Sequence, residues 1–275
     1  MAYSKITYKG HLPHRRFSQN FLSDENIARK IVKAFNISNS DLILEIGPGM
    51  GALTRHILKS TTNYVGIEID KELARRLQEE YNITILEQDF LTIDFLEVKN
   101  KFPSEQKLKV VGNIPYGISS EIVFKILDNY SVVNEAILMF QKEYAERLTS
   151  KPNNRNYGII SVQSQAFAEV RKLFSVKSTS FIPRPRVDSS VVRFDMKKDV
   201  DSVIKNITLF KSLVRKAFSH RRKILKYALK EFLEYYNLSL ADFSIDYSLR
   251  GEQLSVLEYI NLANEIDALI NVRGD

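Results

Sequence analysis

Apolar positions along this chain switch repeatedly between two spacings. In DENIARKIVKAF, Ile27, Ile31 and Phe35 recur at helical spacing, behind a Ser23 or Asp24 that can cap the first turn. DLILEI is short, continuous and apolar, which predicts a strand buried on both faces. GPGMGALTRHILK predicts a glycine loop opening a helix. The alternation continues: NYVGIEID, ITILEQD, KLKVVG and EAILMF predict strands, and KELARRLQEEY, SSEIVFKILDNY and QKEYAERL predict helices. Strands and helices in alternation predict a mostly parallel sheet covered on both faces. VRKLFSV and SSVVRFDM, separated by the proline-bearing STSFIPRPRVD, predict an antiparallel pair that closes this sheet. Beyond Lys198 the pattern is helical. We therefore expect an α/β domain over 1–199 and a small all-α domain over 200–275.

Composition narrows the picture modestly. A chain of 275 residues that is 44% hydrophobic can bury a real core. It contains no run of about 18 apolar residues, the length a membrane helix needs. A soluble, cytoplasmic protein is expected, with no membrane partner. The absence of cysteine excludes disulfides and thiolate metal sites. Of the four histidines, only His11 and His14 lie close in sequence; the pair looks exposed, and no metal site is expected. The net charge of +7 points weakly toward a polyanionic partner. Two stretches concentrate it. Residues 1–23 hold Lys5, Lys9, Arg15 and Arg16 and no acid, and eight Lys or Arg lie between Lys211 and Lys230, again without an acid.

Candidate chemistry begins at LEIGPGMGALT, residues 44–54. Glycines at a strand end let the backbone approach a ligand closely. Gly47, Gly49 and Gly51 are spaced G-x-G-x-G, which is not the dinucleotide fingerprint G-x-G-x-x-G. Glu45, Glu68 and Asp89 fall near the carboxyl ends of the first three predicted strands, where open α/β sheets bind ligands. A pyrophosphate would be repelled by three acids there, whereas a cationic sulfonium would be attracted. Glu68 can accept from two ribose hydroxyls and Asp89 from an adenine amino group. These features point to S-adenosylmethionine.

The fourth strand then ends in Asn113-Ile114-Pro115-Tyr116. This tetrapeptide resembles the [D/N/S]-P-P-[Y/F/W] signature of amino-group methyltransferases. The resemblance implies an amine conjugated to an aromatic ring as the target, a poor nucleophile until its lone pair is turned out of conjugation. The Asn113 side-chain oxygen and the Ile114 carbonyl can accept both amino hydrogens, with Pro115 fixing the turn. Tyr116 can stack on a base, an interaction of about 1–3 kcal/mol. The resemblance extends along nearly the whole chain, to the ribosomal RNA adenine N6-dimethyltransferase family. FSQNFL (17–22) is similar to the family's N-terminal cofactor motif, with Ser18 where members often carry Gly, and FIPRPRVDSSVV to the loop beside the target base. VRKAFSHRRKILKYAL and LRGEQLSVLEYINLANEI resemble the C-terminal domain of the small-subunit branch.

The resemblance implies a Rossmann-like class I methyltransferase fold. It implies Asn20, Leu22, Gly47, Gly49, Glu68, Asp89 and Asn113 as the S-adenosylmethionine site, with Phe181 as a second ring beside Tyr116. The expected substrate is two adjacent adenosines in the 3′-terminal hairpin of small-subunit (16S) ribosomal RNA, met on an immature 30S subunit by a monomeric enzyme that requires no metal. Unstacking a base costs a few kcal/mol, so phosphate contacts are needed nearby; Arg15, Arg16, Arg184, Arg186, Arg221, Arg222 and Lys223 are the candidates. A large-subunit (23S) resistance methyltransferase and a non-catalytic nucleic-acid-binding factor on the same fold are the alternatives; an NAD enzyme is a distant third.

Overall fold

The computed structural model describes residues 8, 10–11, 19–102, 106–220 and 223–273. The strands are β1 Phe21–Leu22, β2 Leu42–Ile46, β3 Tyr64–Glu68, β4 Thr84–Glu87, β5 Leu108–Asn113, β6 Val133–Gln141, β7 Ala168–Val176, β8 Phe181–Ile182 and β9 Ser189–Met196. The helices are α1 Glu25–Phe35, α2 Thr54–Ile57, α3 Lys71–Tyr81, α4 Phe95–Asn100, α5 Ser119–Asp128, α6 Lys142–Leu148, α7 Ile159–Phe167, α8 Val200–Val203, α9 Ile207–Phe218, α10 Leu225–Ala228, α11 Lys230–Tyr235 and α12 Val256–Arg273. They form two compact units. One comprises the chain up to Ala145 together with Arg171–Met196; the other comprises Glu146–Val170 together with the chain from Lys197 onward. Segment 146–170, which lies inside the first domain by sequence pattern, thus belongs to the second unit.

The first unit is built on a sheet of order β4-β3-β2-β5-β6-β9-β7. β2 pairs in parallel with β3 and with β5, and β3–β4 and β5–β6 are also parallel; β9 runs antiparallel against β6 and has β7, its expected partner, on its other side. Chain direction out of β2 turns to β3 on one side, and the later β5 docks on the other, so a crevice opens at their carboxyl ends. β2 and β3 are buried at all five positions each, which explains their unbroken apolar character. A separate two-stranded sheet pairs Phe21 with Ile182 and Leu22 with Phe181.

Helix ends follow local chemistry. The Asp24 carboxylate accepts from the backbone N–H of Asn26 and Ile27, starting α1, and Asn36 ends it at φ 45°. Asp70 caps α3 through the Glu72 N–H, and Asn82 closes that helix at φ 51°. In the second unit, Asn206 caps α9 by accepting from Leu209 N–H, while its own amide donates to Asp267 at 2.8 Å. α9 buries Leu209, Phe210, Leu213, Val214 and Ala217. The sequence pattern passes over α7 because its buried face includes Ser161, Gln163 and Ser164, which blur the apolar stripe. Among the described residues, no helix is long and apolar enough to cross a membrane.

Candidate active site

Five chain segments, residues 19–21, 46–49, 67–69, 88–90 and 113–122, line a cavity of about 290 Å³ at the carboxyl ends of β2, β3, β4 and β5. The glycine loop forms one wall. Gly47 and Gly49 have φ of 58° and 57°, a left-handed conformation that disfavours any side chain. A Cβ on Gly49 would also sit 3.1 Å from the Phe21 ring, so this glycine allows β1 to approach. The helix expected to open directly from the loop is a single turn, α2, beginning only at Thr54.

Glu68 ends β3 at the cavity and is only 5% exposed. Its two carboxylate oxygens accept from Gly49 N–H (2.9 Å) and Asp70 N–H (3.0 Å). Burial pushes its pKa up from the ordinary value, opposed by these backbone donors. The carboxylate therefore braces the glycine loop while its remaining lone pairs face the cavity. Asp89, also at the cavity, accepts from Leu91 N–H at 2.9 Å. Glu45, the third strand-end acid, is elsewhere. Ile46 lines the cavity, but Glu45 is level with Gly66, two residues before Glu68, and so lies deeper under the same face of the sheet. There Glu45 accepts from Thr54 Oγ1 (2.7 Å) and Tyr64 OH (2.8 Å), and burial pushes its pKa up to about 7.

Asn113, Ile114, Pro115 and Tyr116 all line the cavity. Asn113 Nδ2 donates to the Asn20 carbonyl at 2.8 Å, so the amide nitrogen is committed and the acceptor Oδ1 remains. Ile114 N–H donates to Met139 O, which pins the turn to β6. The half-buried Tyr116 reaches Ser189 Oγ with its hydroxyl at 2.8 Å, and burial raises the pKa of the phenol.

Two expected side chains are not at the cavity. Leu22 and Phe181 pair across the β1–β8 ribbon and both point into the hydrophobic core. Phe181 is 2% exposed, so its ring has no free face for a base; this corrects its expected stacking role. Phe21 instead lines the cavity, as do Asn20 and Gln19 before it. Phe21, Gln19 and Ile69 are cavity residues the sequence reading missed. Ile69 had a usable signal, as an apolar residue next to a strand-end acid that remains 45% exposed. The histidine expected to be exposed, His11, is buried: it lies edge-on to Phe21 and 3.5 Å from Asp70. Of the proposed phosphate contacts, Arg184 and Arg186 are exposed on the loop before β9, and Arg184 Nε donates to Ser178 Oγ. Lys223 is exposed in the second unit. Arg15, Arg16, Arg221 and Arg222 lie outside the described residues, as does His14.

Residues 10–268 match the family described as ribosomal RNA adenine dimethylase. The chain belongs to that family. A ribosomal RNA small subunit methyltransferase A from Chlorobium phaeobacteroides (strain BS1) is 43% identical over 256 residues, covering 93% of this chain and 94% of the relative. One of the same description from Francisella tularensis subsp. novicida is 39% identical over 254 residues, covering 91% and 96%. Among solved structures, a dimethyladenosine transferase from Plasmodium falciparum superposes with a TM-score of 0.74 at 28% identity, over 92% of this chain and 98% of that one. The 23S rRNA methyltransferase ErmE superposes at 0.64 and 24% identity, over 90% and 100%, and so shares the fold. The fold is the Rossmann-like methyltransferase fold, and the dimethylase acts as an rRNA adenine methyltransferase.

Proposed function

We propose that this dimethylase binds S-adenosylmethionine in the crevice at the ends of β2, β3 and β5. There it converts two adjacent adenosines of the 3′-terminal hairpin of small-subunit RNA to N6,N6-dimethyladenosine. The residues fit such a cofactor. The Glu68 carboxylate is buried, has lone pairs toward the cavity and suits a pair of hydroxyls, while Asp89 suits an amino donor. When bound, the cofactor supplies an electrophilic methyl group on a positively charged sulfur.

The observation that carries the reading is the Asn113 amide at the cavity, whose nitrogen donates to Asn20 O and whose oxygen stays available as an acceptor next in sequence to Ile114, also at the cavity. Two acceptors at the cavity wall hold an exocyclic amino group with its lone pair out of the ring plane. Catalysis then rests on orientation and fixed dipoles, without a strong general base. The Tyr116 ring supplies the stacking face for an extruded base. Arg184 and Arg186, exposed on the loop that leads to Ser189, suit adjacent phosphates, and the exposed lysines of the second unit add sequence-independent attraction to RNA. The small-subunit substrate, met on an immature 30S particle, is supported by relatives of that description over more than nine-tenths of the chain.

The test is transfer of labelled methyl from S-adenosylmethionine to unmethylated small subunits, with the modified nucleotides mapped. Label on two adjacent adenosines near the 3′ end is expected. Label confined to large-subunit RNA, or none on either RNA by a folded protein that binds the cofactor, would overturn the reading.

A further inference from the structure

Tyr116 has a polar end that stacking does not require. A phenylalanine offers the same face to a base, and the amino group is addressed by Asn113 and the Ile114 carbonyl. The Tyr116 hydroxyl instead lies 2.8 Å from Ser189 Oγ. Ser189 is fully buried, opens β9 and pairs with Gln141 of β6. It stands at the end of a closed loop. Asp188 O accepts from Lys142 N–H (3.0 Å), the Asp188 carboxylate accepts from Ser178 N–H (2.9 Å), and Lys177 Nζ lies 3.3 Å from that carboxylate. Arg184 Nε donates to Ser178 Oγ at 3.0 Å. The segment from Lys177 to Ser189 is thus tied to itself and to the end of β6, so the Ser189 hydroxyl is a fixed point.

A tyrosine ring swings on two side-chain torsions. Here the backbone end sits on the 3-10 turn Tyr116–Ile118, and a bond at the far end of the ring removes the remaining freedom. We propose that Ser189 is a positioning residue, whose hydroxyl fixes the Tyr116 ring at the angle a flipped adenine must meet and ties that angle to the loop carrying Arg184 and Arg186. The proposal rests on Tyr116 being the stacking ring of the function proposed above. Burial raises the phenol pKa further above its ordinary value, so the contact is a hydroxyl pair at neutral pH.

The experiment is a double-mutant cycle on single-turnover methyl transfer with Ser189→Ala, Tyr116→Phe and the combined variant. Each single change should slow transfer roughly three- to tenfold, the size of one neutral hydrogen bond, with cofactor affinity by calorimetry unchanged. The combined variant should be no slower than the worse single, because both remove the same contact. Losses that multiply, or singles that both run within about a factor of two of the unaltered protein, would overturn the proposal. A purely structural serine would lower the melting temperature and slow the Tyr116→Phe background as much as the unaltered one. If Ser189→Ala does not fold, Ser189→Cys, with its weak donor, takes its place in the cycle. Tyr116→Ala separates this proposal from the reading beneath it. An active Tyr116→Ala sinks the stacking role itself, whereas an inactive one with multiplying singles sinks only the role of Ser189.

Discussion

Glu68→Ala should damage two properties at once, and the structure says how much of each. The carboxylate accepts two backbone hydrogen bonds, from Gly49 at 2.9 Å and Asp70 at 3.0 Å, at a position 5% exposed. An unsatisfied buried donor costs about 1–3 kcal/mol, so two would cost about 2–6. The cavity of about 290 Å³ beside the loop admits water to take the vacated place, so the low end, about 2 kcal/mol of stability, is the expected loss. Cofactor binding loses the charge-assisted bonds to the ribose as well, at about 1.5–3 kcal/mol each, or at least tenfold in affinity per bond. Glu68→Gln keeps one acceptor for the loop but aims an amide N–H₂ at the other backbone donor. It should therefore fold better than the alanine variant and still bind the cofactor weakly.

The buried carboxylate also sets a pH signature. Burial raises the Glu68 pKa, and only the ionised form accepts from both hydroxyls. Affinity should therefore begin to fall at a higher pH than an ordinary carboxylate would dictate as the solution is acidified, and Glu68→Gln should abolish that dependence. Isothermal titration with S-adenosylmethionine across pH, beside thermal unfolding of the same samples, reads both effects. An alanine variant with unaltered melting temperature and unaltered affinity would refute the assignment.

Four further outcomes are expected. Asn113→Ala should leave cofactor affinity nearly intact but slow single-turnover transfer about tenfold or more, since its acceptor matters most in the transition state; a rate within about a factor of two would refute the acceptor role. Phe181→Ala should cost about 3–5 kcal/mol of stability as a core truncation, while Phe181→Leu should keep near-normal turnover; a stable Phe181→Leu enzyme without turnover would return the ring to the base. Glu45 has a folded pKa raised to about 7, so its stability contribution is present below its unfolded value and is lost as pH rises toward 7. Glu45→Gln should remove a fall of order 3 kcal/mol in unfolding free energy between about pH 4.5 and 7, and equal slopes in both proteins would discount it. Replacing Lys223, Lys226 and Lys230 with Gln should make the log–log salt dependence of small-subunit binding shallower by up to about three, with an unchanged slope marking a merely solvated face.

What was legible in the sequence depended on how local its physical cause is. The left-handed glycines, the aspartates capping α1 and α3, and the tetrapeptide ending β5 each act through neighbours a few residues away, so their residue types announce them. The strand register was not legible. β2 and β3 are buried on both faces and carry no alternation, so three strand-end acids looked equivalent. Only the register separates Glu45, level with Gly66 and held by Thr54 and Tyr64, from Glu68 two residues further on at the cavity. The same limit misplaced Phe181. Two aromatic residues flank two-residue strands, and which of Phe21 and Phe181 faces the cavity follows from the antiparallel register Leu22↔Phe181. Least legible were the contacts that orient the chemistry. Asn113 to Asn20 spans 93 residues and Tyr116 to Ser189 spans 73. No periodicity encodes such a pair, because each exists only once the fold has brought these distant segments together. Candidate side chains at the cavity could therefore be named from the sequence, while the groups that hold them had to await the fold.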